Sequence, residues 1–263
     1  MDESDQMQKE KIYMNVRKNF DGYADDYTIG RPQYSEGLVD QVLADFDPAS
    51  NVKIADIGSG TGKFSSQLLA RGFEVYSVEP NDDMRRVAEE ELSAFNRFHS
   101  VNGGAEDTSL DSASVDLVTT AQAFHWFDVD KFRAECKRIL RGNAKVALVW
   151  NVRDMKAPVN QELYDIYKRY CPRFVGFSGG IVKNDPMIQY FFESGYKYIS
   201  YPNPLTLDKE KFIARSLSGS YSIKEDDSSY EEYMDSITDI FSKYSVSGSV
   251  IIPNDSVAYI GRL

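Results

Sequence analysis

The sequence predicts an α/β protein built on an open, mostly parallel sheet that ends in antiparallel strands. Three observations carry that prediction. Strand-like and helix-like segments alternate from Asn51 to Asn151, the pattern of parallel strands joined by right-handed crossovers. A glycine cluster, Asp56-Ile57-Gly58-Ser59-Gly60-Thr61-Gly62, stands between the first strand and the first helix of that series. Two β-rich pieces, interrupted by Pro253-Asn254-Asp255, close the chain between Ser247 and Gly261, as an antiparallel hairpin at a sheet edge would.

Residues 1–19 read as a polar, helical lead. Lys53 to Ile57 is a short strand. Lys63 to Arg71 follows as a helix with Phe64, Leu68 and Leu69 on one side and Gly72 as its stop. Phe73 to Glu79 is a second strand. Asn81 then caps a helix whose apolar positions, Met84, Val87, Ala88, Leu92 and Phe95, keep one face buried. Phe98 to Val101 and Val115 to Ala121 are the third and fourth strands. Lys131 to Leu140 is a helix with Phe132, Cys136, Ile139 and Leu140 inward, and Val146 to Val152 is the fifth strand.

After Arg153 the pattern changes. Tyr164, Tyr167 and Tyr170 recur every three residues on a helix. They read either as rings that cover the core or as a lid lining a substrate cavity, with Tyr170 as a substrate contact. Residues 208–217 and 229–244 are further helices. The chain thus divides into the lead over 1–19, a ligand-binding core over 20–153, and lid helices with C-terminal strands over 154–263 that complete the same domain.

Composition narrows the function. Hydrophobic residues make up 42% and charged residues 27%, so a packed core is expected. Forty-one acidic side chains against 30 basic ones give a net charge of -11, which repels the phosphates of a nucleic acid. Cys136 and Cys171 form neither a disulfide framework nor a zinc cluster, and a reducing compartment is the simpler reading. The start of the chain lacks an apolar signal segment, and no run of about 18 apolar residues occurs. These features favour the cytoplasm and no membrane partner. His99 and His125 lack acidic companions at ligand spacing, so no metal site is expected.

The glycine cluster admits three readings. A phosphate-binding P-loop fails twice, at Ile57 and at Phe64. A dinucleotide fingerprint requires a third glycine where Lys63 stands, which weakens that reading and leaves it open. An acidic-x-G-x-G-x-G pattern matches at every position. Glu79 stands 23 positions after Asp56 at the end of the second strand, where a carboxylate can accept from both ribose hydroxyls and would repel a 2′-phosphate.

This pattern resembles the first motif of the class I S-adenosylmethionine-dependent methyltransferases. The resemblance implies a Rossmann-like seven-stranded sheet with an antiparallel C-terminal hairpin and a helical lid. S-adenosyl-L-methionine would be the cofactor and S-adenosyl-L-homocysteine its product. It implies cofactor contacts from Asp56, Gly58, Gly60, Gly62 and Glu79. Gly103-Gly104-Ala105-Glu106-Asp107 matches the segment along the adenine, with Gly104, Ala105 and Glu106 as contacts. Gly104 departs from the usual acidic residue, so Glu106 or a backbone carbonyl would meet the amino group.

Gln122-Ala123-Phe124-His125-Trp126-Phe127-Asp128 is similar to the small-molecule branch typified by trans-aconitate methyltransferase (type 11). There Ala121 and Gln122 would lie near the methionine part, and Phe124 and Trp126 near the acceptor. Phe20 to Tyr27, followed by Arg31-Pro32-Gln33-Tyr34, resembles the family's entry segment, with Tyr27 and Arg31 closing over the cofactor carboxylate. Ordered motifs cover residues 18–153; the C-terminal half fits only in layout.

The reaction implied is an in-line methyl transfer to a small carboxylic acid or hydroxyl. His125 would act as its base or would position the acceptor, unless it is a packed residue bonded to a backbone carbonyl. Phe124, Trp126 and Phe127 would offer ring faces to the sulfonium. A protein methyltransferase, a non-catalytic cofactor-binding protein and an NAD-dependent dehydrogenase remain as alternatives.

Overall fold

A computed structural model describes residues 32–180, 183–219 and 221–263. The lead over 1–19, Tyr27 and Arg31 lie outside the described residues. In chain order the elements are α1 (Glu36–Leu43), β1 (Lys53–Ile57), α2 (Lys63–Leu69), β2 (Glu74–Val78), α3 (Asp82–Leu92), β3 (Phe98–Val101), β4 (Val115–Ala121), α4 (Val129–Ile139) and β5 (Leu140–Arg153). They continue with α5 (Pro158–Tyr170), α6 (Pro186–Phe191), β6 (Tyr196–Pro202), β7 (Leu205–Asp208), α7 (Lys209–Leu217), α8 (Tyr230–Tyr244), β8 (Ser249–Ile252) and β9 (Asn254–Gly261). The sheet is mixed and mostly parallel on its N-terminal side, with strand order β3-β2-β1-β4-β5-β9-β6.

The described residues form two compact units, 48–144 and 32–47 with 145–263. In the first, β1 lies between β2 and β4, parallel to both, with Asp56 level with Ser77 and Thr119. Ile54, Ala55 and Ile57 are fully buried, as expected for a strand covered on both faces. Two helices start on side-chain caps. Asn81 Oδ1 accepts from Met84 N at 2.9 Å above α3, and Asp128 Oδ1 accepts from Lys131 N at 3.2 Å above α4. The second cap starts α4 two residues earlier than the sequence pattern suggested. Of the expected positions, Met84, Val87, Ala88 and Leu92 are buried on α3, whereas Phe95 lies past its end and is half-buried.

In the second unit, β9 runs antiparallel to β5, from Val146 opposite Gly261 to Arg153 opposite Asn254, and antiparallel to β6. The expected antiparallel C-terminal element is therefore present, with β6 as the second strand of its pair. β8 turns aside and pairs with β7 in a separate two-stranded sheet. Only Pro253 separates β8 from β9, too little chain for a hairpin reversal between them.

This unit has its own core of Leu163, Tyr167, Phe212, Tyr233, Ile237 and neighbouring side chains. Tyr233 is fully buried and donates to Ser216 O at 2.8 Å. Tyr167 packs among Phe174, Tyr221 and Tyr233, so at this position the tyrosine row covers core. Among the described residues no helix is long and apolar enough to cross a membrane.

Candidate functional site

The glycine cluster forms the turn from β1 into α2. Gly58, Gly60 and Gly62 take φ of +67°, +57° and +78°, a region glycine enters without the steric cost that other residues meet. The loop is fastened to the end of β2, because Gly58 N and Ser59 N both donate to Val78 O, at 2.9 and 3.2 Å. A Cβ at Gly58 would lie 2.7 Å from Ala123 Cβ, and one at Gly62 would lie 2.6 Å from Leu92 Cδ1. At Gly60 a Cβ would meet nothing within 4 Å. Two of the glycines are thus packed against protein, and the middle one faces open space.

Glu79, just past β2 and buried, turns its carboxylate to this loop. Gly60 N donates to Oε2 and Asn81 N to Oε1, both at 2.9 Å. These are charge-assisted bonds, and each oxygen keeps further acceptor capacity. Ser59 Oγ and Thr61 Oγ1 are buried without a hydrogen-bond partner among the described residues. An accepting carboxylate, two hydroxyls and an uncovered stretch of backbone fit a polar nucleoside.

Asp56 is fully buried. Ser65 Oγ donates to its Oδ2 at 2.6 Å and Thr119 Oγ1 to its Oδ1 at 2.9 Å. Burial pushes its carboxyl up to about 6, against the downward pull of those hydrogen bonds. Placed this way, Asp56 ties β1 to α2 and β4 and braces the glycine loop from below. The two hydroxyls that hold it were not legible as site residues, since a lone Ser or Thr in a helix or strand carries no signal.

Gly104 N donates to Asp107 O at 2.9 Å, closing a tight turn that contains Ala105 and Glu106. Asp128 N donates to Glu106 Oε1 at 2.9 Å, and burial raises the Glu106 carboxyl above its ordinary range. Its Oε2 lies 3.7 Å from where a Cβ on Gly104 would stand. The acidic group absent at position 104 is therefore supplied beside it.

Gln122, directly after Ala121 at the end of β4, has a φ of +60°, an uncommon conformation for a residue with a side chain and one that concentrates at functional sites. A short 3₁₀ turn, Phe124–Trp126, follows. Phe124 is fully buried against Phe132. The His125 and Trp126 rings lie 4.8 Å apart. An atom of the Phe127 ring is 3.1 Å from the Cβ position of Gly58, so the aromatic run abuts the glycine loop. In the second unit, Tyr170 packs edge-on to Tyr233 and under the Arg169 guanidinium.

Residues 55–148 match the family described as a methyltransferase domain. An uncharacterised methyltransferase of Mycobacterium tuberculosis is 37% identical over 143 residues, 54% of this chain and 56% of that protein. An uncharacterised methyltransferase-like protein of Schizosaccharomyces pombe is 34% identical over 167 residues, 61% of this chain and 63% of the relative. The matched stretch thus spans little more than half the length of these curated relatives. In fold, a candidate type II methyltransferase of Anaeromyxobacter dehalogenans superposes with a TM-score of 0.58 at 23% identity, over 88% of this chain and 97% of that one. The family match runs from the residue before Asp56 through the glycine loop, Glu79, the Gly104 turn and the aromatic run. Residues 55–148 are thus similar to the methyltransferase-domain family in sequence, and the chain has the fold of solved methyltransferase structures.

Proposed function

We propose that the chain binds S-adenosyl-L-methionine over the glycine loop and transfers its methyl group to a small acceptor, a carboxylic acid or a hydroxyl. The observation that supports this most directly is the bond from Gly60 N to Glu79 Oε2, 2.9 Å long. It joins bare backbone and a fixed carboxylate in one place, and a ribose diol needs such an acceptor.

When bound, the cofactor supplies an electrophilic methyl group carried on a sulfonium. The chain's own residues then have mainly to align and to exclude water. Glu79 accepts from the ribose hydroxyls. Glu106, with one oxygen fixed by Asp128 N, accepts from the adenine amino group. Ala121 and Gln122 lie along the methionine part. With a hydroxyl acceptor His125 takes the proton; with a carboxylate it only positions. The net charge of -11 favours a small acceptor over a nucleic acid.

Calorimetric titration with S-adenosylmethionine and S-adenosylhomocysteine tests the reading. The wild type should bind both, and Glu79→Gln should bind each about tenfold or more weakly. Absence of binding by the wild type, or equal binding by the variant, would reject it. A labelled-methyl assay across acids, phenols and amines tests the acceptor class. Label entering protein or RNA in a lysate would count against a small acceptor.

A further inference from the structure

Arg153 and Asn254 face each other across β5 and β9. Directly opposed residues of an antiparallel pair project from the same face, with Cβ atoms about 5 Å apart. Asp255, the next acid along, alternates to the other face. Asn254 is only 3% exposed, and neither its Nδ2 nor its Oδ1 has a hydrogen-bond partner among the described residues. A buried amide with nothing to bond is unfavourable, and native proteins rarely keep one without a use.

The neighbouring pair on that face shows the contrast. Asn151, opposite Ser256, donates through Nδ2 to Gln33 O at 3.3 Å and accepts through Oδ1 from Ser256 Oγ and from Asn203 Nδ2.

The Arg153 guanidinium lies over the Phe177 ring, 4.3 Å from its centroid. One N–H reaches Asn160 Oδ1 at 3.3 Å. Asn160 is itself fixed by its amide, which donates to Asp154 O at 2.9 Å and Pro253 O at 2.7 Å. Arg153 makes no ion pair among the described residues. Stacking occupies the flat face of the guanidinium and leaves its edge of donors, the part that grips a planar carboxylate.

We propose that Arg153 and Asn254 form a binding site for a small organic carboxylate. The guanidinium takes the two oxygens, and Asn254 Nδ2 donates to the same group. This does not rest on methyl transfer: both residues belong to the second unit, and no cofactor takes part in the binding.

The test is titration of the full chain, without cofactor, with benzoate and malate, each against its primary amide. At least one acid should bind, with its amide about tenfold or more weaker. Arg153→Gln should cost the acid about tenfold or more. Asn254→Leu, an apolar near-isostere, should keep or raise the thermal midpoint while weakening the acid. A residue with a purely structural role would lower the midpoint and leave affinity unchanged.

The proposal is overturned if neither acid binds, if amides bind as well as acids, or if Asn254→Leu shows that structural signature. Labelled-methyl transfer to the bound acid would identify it as the acceptor. Binding without transfer would identify it as an effector. Either outcome upholds the site.

Discussion

A carboxylate with no exposed surface is an expensive way to brace a loop, and Asp56 shows what the fold gains from it. Its two oxygens accept from Ser65 and Thr119, which sit on different elements, so one side chain fixes where β1, α2 and β4 meet. The cost appears as a pH dependence. With a folded value of about 6 against 3.8 unfolded, Asp56 binds more protons folded than unfolded between those values. Stability therefore falls as pH rises through that window, by about 3 kcal/mol in all. Asp56→Asn removes the titration. Denaturant unfolding should show the wild type gaining about 1 kcal/mol relative to the variant between pH 7 and pH 5. Superimposable pH profiles would mean that Asp56 is not the group responsible. In the sequence Asp56 stood out as the acid before the glycines, but its direction did not, because that is decided by hydroxyls 9 and 63 positions away.

At the scale of the element, the three glycines of one loop divide into two kinds. Gly62→Ala drives a Cβ to 2.6 Å from Leu92 on α3, a clash added to left-handed strain, and should cost about 2–4 kcal/mol of stability. Gly60→Ala meets nothing within 4 Å and should cost about 1 kcal/mol from strain alone. On the proposed function it should nonetheless weaken cofactor binding tenfold or more, because its methyl would stand where the backbone is proposed to approach the ligand. Thermal midpoints and calorimetric titration separate the two effects. Equal losses of stability would refute the division. This loop was the most legible part of the molecule: spacing alone marked its glycines, and strand–helix alternation placed β1 through β4. The start of α4 was less so, since Asp128 ends an aromatic run and its capping role emerges only once Lys131 N is seen donating to it. The course of β8 was hidden as well. A β-rich segment announces that it is a strand, not which strand it will join.

Over the whole molecule, the least legible feature is the discontinuity of the second unit. Residues 32–47 belong with 145–263; their helix buries Leu38, Val39, Val42 and Leu43, and the bonds that add to this packing are polar and distant in sequence. Ser35 N donates to Ser256 Oγ at 2.9 Å across 221 positions, and Asn151 Nδ2 donates to Gln33 O across 118. Asparagine and serine are common in loops, and no periodicity marks a pair so far apart. Asn151 is the centre of this network, since it also accepts from Asn203 and Ser256, and Ser178 Oγ donates to its carbonyl at 3.0 Å. Asn151→Leu keeps the volume and removes the amide. It leaves buried Ser256 and half-buried Asn203 each without an acceptor they now use, each worth about 1–3 kcal/mol and not strictly additive, and it removes the tie to Gln33 O. We expect a loss of about 3 kcal/mol in denaturant unfolding. The same change two pairs of residues along the sheet, Asn254→Leu, should cost nothing, since no partner is stranded there. A loss below about 1 kcal/mol at Asn151 would mean that residues 32–47 are held by something other than this amide.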